Sequence, residues 1–269
     1  MSKNTPQRAA DEGEELLTQL SRPAGRRDFL KWTGVSAATL VAAACDQNET
    51  RTITGVRADT TLRVDTVAPR APTFATATLN FANDFGVLNF AFALEQLEAD
   101  FYTQVVARSG FATTFPSAAE RQVLIDLRDH EIIHREFFRN AITALAPAGT
   151  LIPNLTTNFT NINFDSRESV LSAARTFEDL GVQAYNGAAR FLTSVNLVGL
   201  AGKIVSVEAR HASAIRDLLT TANPQNRTMN NNAFAPSPYD NALRPSRVLA
   251  AAAPFIRNSF VIQNAPTGF

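Results

Sequence analysis

Two copies of the phrase Glu-x-x-His stand in this chain, Glu131/His134 and Glu208/His211. Each is preceded upstream by a lone glutamate with a tyrosine seven residues after it, Glu95 with Tyr102 and Glu178 with Tyr185. Residues three apart on a helix share one face, so the glutamate and histidine of each phrase can reach the same cation. The order Glu, Glu-x-x-His, Glu, Glu-x-x-His therefore spells a binuclear metal site. In it Glu131 and Glu208 are free to bridge, and Glu95 and Glu178 each complete one ion as a terminal carboxylate. Oxygen-rich donors with one imidazole per ion suit iron or manganese better than zinc or copper.

Such a site needs helices that place all six side chains on inward faces. From Asn83 or Asp84, either able to cap a helix, Phe85, Leu88, Phe92, Glu95, Ala99, Tyr102 and Val106 recur every three or four residues. They predict a helix with a single apolar seam that stops near Ser109-Gly110. Ser117-Ala-Ala-Glu120 is a capping box, and the second seam runs Leu124, Leu127, Glu131, His134, Phe138 and Ile142. The short link makes these two helices antiparallel neighbours. Pro147 to Phe164, rich in Asn, Thr and Pro, has no periodicity, and that length predicts a crossover along the bundle. Asp165 with Glu168 predicts the third cap, ahead of Leu171, Ala174, Glu178, Gly181, Tyr185, Ala188 and Leu192. After a break at Ser194 to Asn196, the fourth seam is Leu197, Ala201, Ile204, Glu208, His211, Ile215 and Leu218. The expected fold is all-α: a four-helix bundle over residues 81–222, with a long crossover between helices 2 and 3.

Burying an unpaired carboxylate costs several kcal/mol, a large part of the ~5–15 kcal/mol that stabilises a domain. Four appear here at matching depths, and no Lys or Arg falls on any of the four seams. Protons or cations must neutralise them, and two divalent ions balance four carboxylates. The alternative is a buried polar network without metal. His130, next to Glu131 but off the seam, is expected beside the ligands or at the surface rather than as a ligand. Glu98 and Asp100 are expected on a solvated or partly buried face.

The 269 residues, 45% hydrophobic with basic and acidic residues in equal number, suffice for a sizeable core in one or two domains. With no basic patch interleaved with aromatics, nucleic acid is excluded as the expected partner. Residues 1–45 carry Gly25-Arg26-Arg27-Asp28-Phe29-Leu30-Lys31 ahead of an apolar run, Trp32 to Ala44, too short for a comfortable membrane span. This resembles a twin-arginine export signal, which implies the twin-arginine machinery as partner and a place in the periplasm or cell envelope. Cys45, the only cysteine, closes a run that resembles a bacterial lipobox and implies membrane anchoring by lipid at Cys45. Ala42 stands where that motif usually has a large aliphatic residue, so cleavage after a small-residue site stays open. No intrachain disulfide can form. Residues 46–80, rich in Thr, Asp, Arg and Pro, read as a polar tether. Residues 223–269 read as an irregular extension with one short helix, Ser246 to Ala253, stopped by Pro254.

The four-helix pattern, its crossover and both Glu-x-x-His pairs resemble the ferritin-like di-iron carboxylate superfamily, which includes bacterioferritins, rubrerythrins and manganese catalases. Within it, the chain resembles exported bacterial ferritin-like proteins related to plant desiccation-related proteins. The resemblance covers roughly residues 80 to 222 and implies metal-ligand roles for Glu95, Glu131, His134, Glu178, Glu208 and His211, with two Fe or Mn ions as cofactors. Tyr102 and Tyr185 resemble tyrosines near such centres, where a phenol donates a hydrogen bond to a ligand or supplies an electron in catalysis; plain core packing is the other reading. The implied function is redox or oxidative-stress chemistry with oxygen or peroxide, against a non-catalytic desiccation-related protective or metal-binding protein. No Cys-x-x-Cys exists, so the electron-donating module of many rubrerythrins is absent. The tail does not resemble a cage-forming fifth helix, and assembly into a homo-oligomer stays open.

Overall fold

The computed structural model describes residues 73–221, 233 and 238–265. The expected export signal with Arg26 and Arg27, Cys45 and residues 46–72 of the expected tether lie outside them. Strand β1 spans Ala77–Asn80, and the helices that follow are α1 (Asp84–Ala107), the short α2 (Phe111–Thr114), α3 (Ala118–Leu145), α4 (Arg167–Ala188), α5 (Val195–Thr221) and α6 (Pro245–Ala252). Strand β2, Phe260–Gln263, closes the order. The architecture is all-α, and the four long helices carry it. Helix α1 packs mainly on α3 and α4 mainly on α5, while α1 meets α4 and α3 meets α5 between the two hairpins.

Local chemistry sets the helix starts. The Asn83 side chain accepts from the backbone N–H of Phe85 at 3.0 Å and caps α1. Ser117 caps α3 by accepting from Glu120 N, but the Glu120 carboxylate turns away to Arg167, whose Nε donates to it at 2.8 Å. Helix α4 starts one residue later than expected. Its cap is Ser166, which accepts from Ser169 N, whereas Asp165 donates its own N–H to Asn163 Oδ1 within the preceding loop. At the far end α4 stops at Ala188, passes through a 3-10 turn, Ala189–Phe191, and leaves Leu192 outside the helical seam. The Asp84 carboxylate accepts from Thr193 N, Thr193 Oγ1 and Ser194 N, at 2.8–2.9 Å, which ties the α4–α5 link to the start of α1.

Helix α1 departs from the single-seam expectation, because every residue from Gly86 to Ala99 is buried. Its outward face is covered by the crossover, residues 146–166, held by three polar side chains. Asn89 donates to Thr150 O and accepts from Ile152 N, both at 3.0 Å, Gln96 accepts from Leu155 N at 2.9 Å, and Asp100 accepts from Thr157 Oγ1. Loop backbone polar groups that would otherwise be buried unpaired are satisfied by these rungs. The crossover thus advances along α1 from Asn89 to Asp100.

Two strands are the other departure. Ala77–Asn80, inside the expected tether, pairs in parallel with Phe260–Gln263, inside the expected irregular extension. Neither segment can bury its apolar side alone, and a pairing partner about 180 residues away in sequence leaves no local signal; Ala77 and Leu79 are fully buried. The C-terminal segment also grips the crossover, through Arg257 N to Thr156 O at 2.8 Å and Asn158 N to Phe255 O at 2.7 Å. Phe255 meets Phe177 edge-on at 4.8 Å, joining a cluster of Phe101, Phe159 and Phe164 that closes the core beside Tyr102. Gly187 makes room for the chain ahead of α6, since a Cβ there would lie 1.7 Å from Leu243 O.

Candidate metal centre

All six donors converge between the helices. Glu95, Glu131, Glu178 and Glu208, one from each long helix, are fully buried, and His134 and His211 are 7% and 5% exposed. His134 Nδ1 lies 2.7 Å from Glu208 Oε1, 3.4 Å from Glu95 Oε2 and 3.6 Å from Glu131 Oε2. His211 Nδ1 lies 2.7 Å from Glu131 Oε1 and 3.5 Å from both Glu178 Oε2 and Glu208 Oε2. Two donor sets result, Glu95/Glu131/His134/Glu208 and Glu131/Glu178/Glu208/His211, each with its donor atoms within 4.8 Å of one another. Glu131 and Glu208 belong to both, and each turns one carboxylate oxygen toward one set and the other oxygen toward the second.

The remaining oxygens are held by phenols. Tyr102 on α1 donates to Glu178 Oε1 on α4 at 2.6 Å, and Tyr185 on α4 donates to Glu95 Oε1 on α1. Since Tyr102 follows Glu95 while Tyr185 follows Glu178, these reciprocal bonds require α1 and α4 to run antiparallel. Core packing alone does not describe either tyrosine.

The fit to cations can be judged from atoms without partners. Glu95 Oε2, Glu178 Oε2, both oxygens of Glu131 and Glu208, and Nδ1 of both histidines are buried without a hydrogen-bond partner. None of these short separations forms a hydrogen bond, and the atoms fall into the two compact donor sets. Leaving one such group unsatisfied costs about 1–3 kcal/mol, and eight together approach the whole stability of a domain. Oxygen and imidazole donors arranged in this way fit divalent transition metals.

Electrostatics in the metal-free site follow the same geometry. Burial pushes the Glu95 carboxyl up to about 8 although His134 opposes it, and pushes Glu178 up to about 7 against His211. For Glu131 burial also acts upward, but flanking His134 and His211 outweigh it and hold this carboxylate below the usual range. Burial alone would lower the histidines, yet Glu95 raises His134 well above its ordinary value and Glu178 with Glu131 raises His211 to about 12. Burial, then Glu178 and Glu95 respectively, push the phenols of Tyr102 and Tyr185 up, so both stay protonated as donors. In the metal-free site the raised carboxyls and imidazoles therefore favour their proton-bound forms.

The sequence profile of the ferritin-like domain matches residues 83–221, more than half of the 269 residues. The chain belongs to the ferritin-like domain family. No curated protein matches it. In this ferritin-like domain the matched segment spans all four long helices, and so carries every residue of the two donor sets.

One residue differs from expectation. Glu98, expected on a solvated or partly buried face, is 3% exposed, and burial with the Glu131 and Glu208 charges raises its carboxyl well above the usual range. Its place is made by Gly181: a Cβ there would sit 3.0 Å from Glu98 Oε1 and 3.7 Å from Glu208 Oε2. The signal was present, since Glu95, Glu98 and Tyr102 are spaced by three and four and share a stripe. Asp100 is partly buried against the crossover, as one of the two readings had it. His130 is exposed at its own position, yet its Nδ1 stands 2.9 Å from His211 Nε2.

Proposed function

We propose that this ferritin-like domain binds two iron or manganese ions in the Glu95/Glu131/His134/Glu178/Glu208/His211 cluster and works in redox or oxidative-stress chemistry with oxygen or peroxide. The observation that carries it is the set of eight buried lone-pair atoms, without hydrogen-bond partners, gathered into two sets with shared Glu131 and Glu208. Iron or manganese bound there would exchange electrons with oxygen or peroxide. The protein's own residues do the rest. Glu131 and Glu208 would contribute to both positions, and Glu95 and Glu178 to one each. Tyr102 and Tyr185 take one oxygen of each closing carboxylate, which leaves the other oxygen facing inward. The Phe101 and Phe177 rings, 5.0 Å apart and fully buried, keep water from the Tyr102 side.

The proposal includes export. Arg26 and Arg27 before an apolar run support transport through the twin-arginine machinery to the periplasm or cell envelope, and Cys45 supports a lipid anchor. A route that carries folded proteins suits a centre whose donors come from four helices.

Complete burial of the four glutamates favours one second reading, a non-catalytic metal-binding or protective role akin to desiccation-related proteins. Elemental analysis of natively exported protein, followed by ferrous-iron and peroxide turnover assays, separates the readings. About two iron or manganese ions per chain with turnover support the redox reading. Bound metal without turnover favours the second, and no metal at all refutes the redox reading.

A further inference from the structure

The two halves of the centre are related by an internal repeat, but the outer faces of their histidines are not alike. A histidine that offers Nδ1 to a cation carries its proton on Nε2, and the acceptor of that proton sets ring orientation and donor strength. For His211 this acceptor is at hand: His130 Nδ1 lies 2.9 Å from Nε2, on a helix from the other hairpin. The rings of His130 and His211 are 5.1 Å apart, tilted by 40°. For Nε2 of His134 no hydrogen-bonding partner is seen among the described residues. The repeat itself shows why the halves differ, since the residue before the glutamate is His130 in the first phrase and Val207 in the second. Valine has no acceptor.

We propose that His130 is a positioning residue that accepts the Nε2 proton of His211 and so makes the two ion positions unequal, the one served by His211 filling first and holding its ion more tightly. This rests on the metal-centre reading. The geometry gives His211 one orientation with Nδ1 turned to Glu131, Glu178 and Glu208, whereas the His134 ring, near the same depth, lacks that tether. Removing an outer hydrogen-bond partner of a metal-bound histidine lowers affinity by about 10–100-fold, enough to separate two otherwise matched positions.

The test is an anaerobic titration of metal-free full-length protein with Co2+, followed by calorimetry and by the visible ligand-field bands. Wild type is expected to bind in two steps, the first at least about 10-fold tighter. His130→Ala should weaken that first step by about 10–100-fold and bring the two steps together, leaving the weaker step within about 3-fold. His130→Asn, whose Oδ1 can stand where Nδ1 stood, should restore the separation, which a merely structural effect would not do. Because His130 is exposed, both variants should keep the wild-type circular dichroism. Two steps unaffected by His130→Ala, or both weakened alike, would overturn the inference while leaving the metal centre standing. A wild type that binds no Co2+ would overturn the metal-centre reading and the inference with it.

Discussion

Tyr102→Phe isolates one hydrogen bond in the centre without changing its shape. The phenol is fully buried, and its oxygen is 2.6 Å from Glu178 Oε1. Phenylalanine fills the same volume among Phe101 and Phe177, so no cavity is created, and the loss is the bond itself. A hydrogen bond to a charged group is worth about 1.5–3 kcal/mol, and its loss leaves Glu178 Oε1 as one more buried oxygen without a partner. At about 2–4 °C per kcal/mol for a protein of this size, the unfolding midpoint should fall by about 3–12 °C. The assay is thermal unfolding of the chelator-treated protein followed by circular dichroism, at about pH 9 where Glu178 and Glu95 are ionised, because bound metal would add its own concentration-dependent stabilisation. Tyr185→Phe, which removes the reciprocal bond to Glu95, is the internal control and should behave alike. A change within about 0.5 kcal/mol, the range of an inert surface substitution, would refute the assignment of the tyrosines as holders of the closing carboxylates.

Shared and unshared carboxylates should differ in stoichiometry: Glu131→Gln or Glu208→Gln is expected to abolish binding at both positions, and Glu95→Gln or Glu178→Gln at one, read as metal per chain by elemental analysis. The metal-free protein should lose stability as pH rises. Glu95 and Glu178 are raised from 4.5 to about 8 and about 7 in the folded state, so the stability tied to their protons is complete below 4.5 and is lost through 7 to 8. His211, raised from 6.5 to about 12, acts in the same direction above 6.5. Unfolding midpoints measured between pH 5 and 9, flat or rising without metal, would contradict this sign. Gly187→Ala would set a Cβ 1.7 Å from Leu243 O and should cost about 1–3 kcal/mol in urea unfolding, by pushing the chain before α6 off α4. A neutral result would show that this close approach is not needed.

The bundle was readable because its information is periodic. Each long helix repeats apolar residues every three or four positions, and the ligand-type residues ride those stripes, so one pass along the chain places them on inward faces. Starts were readable to within a residue or two where a Ser or Asn could cap, and the one shift, from Asp165 to Ser166, arose because Asp165 is engaged by the loop before it. Glu98 was misplaced because attention to one seam overlooks that a helix buried all round has no solvated face. That burial comes from the crossover, whose rungs on Asn89, Gln96 and Asp100 pair residues about 60 positions apart. Strands Ala77–Asn80 and Phe260–Gln263 escaped notice for the same reason, since each is four residues long and its partner lies at the other end of the domain.

By itself the sequence determined which residues carry donor atoms suited to cations and which helices carry them, because residue type and helical spacing are local properties of the chain. It could not determine how the four helices' side chains divide among themselves. Only the tertiary structure decided that Glu131 and Glu208 each face both donor sets, that each tyrosine serves the glutamate of the opposite hairpin, and that His130 reaches across to His211. The tyrosine and His130 contacts join residues 76 to 90 positions apart, fixed by the register of packed helices. Spacing along one helix is blind to that register.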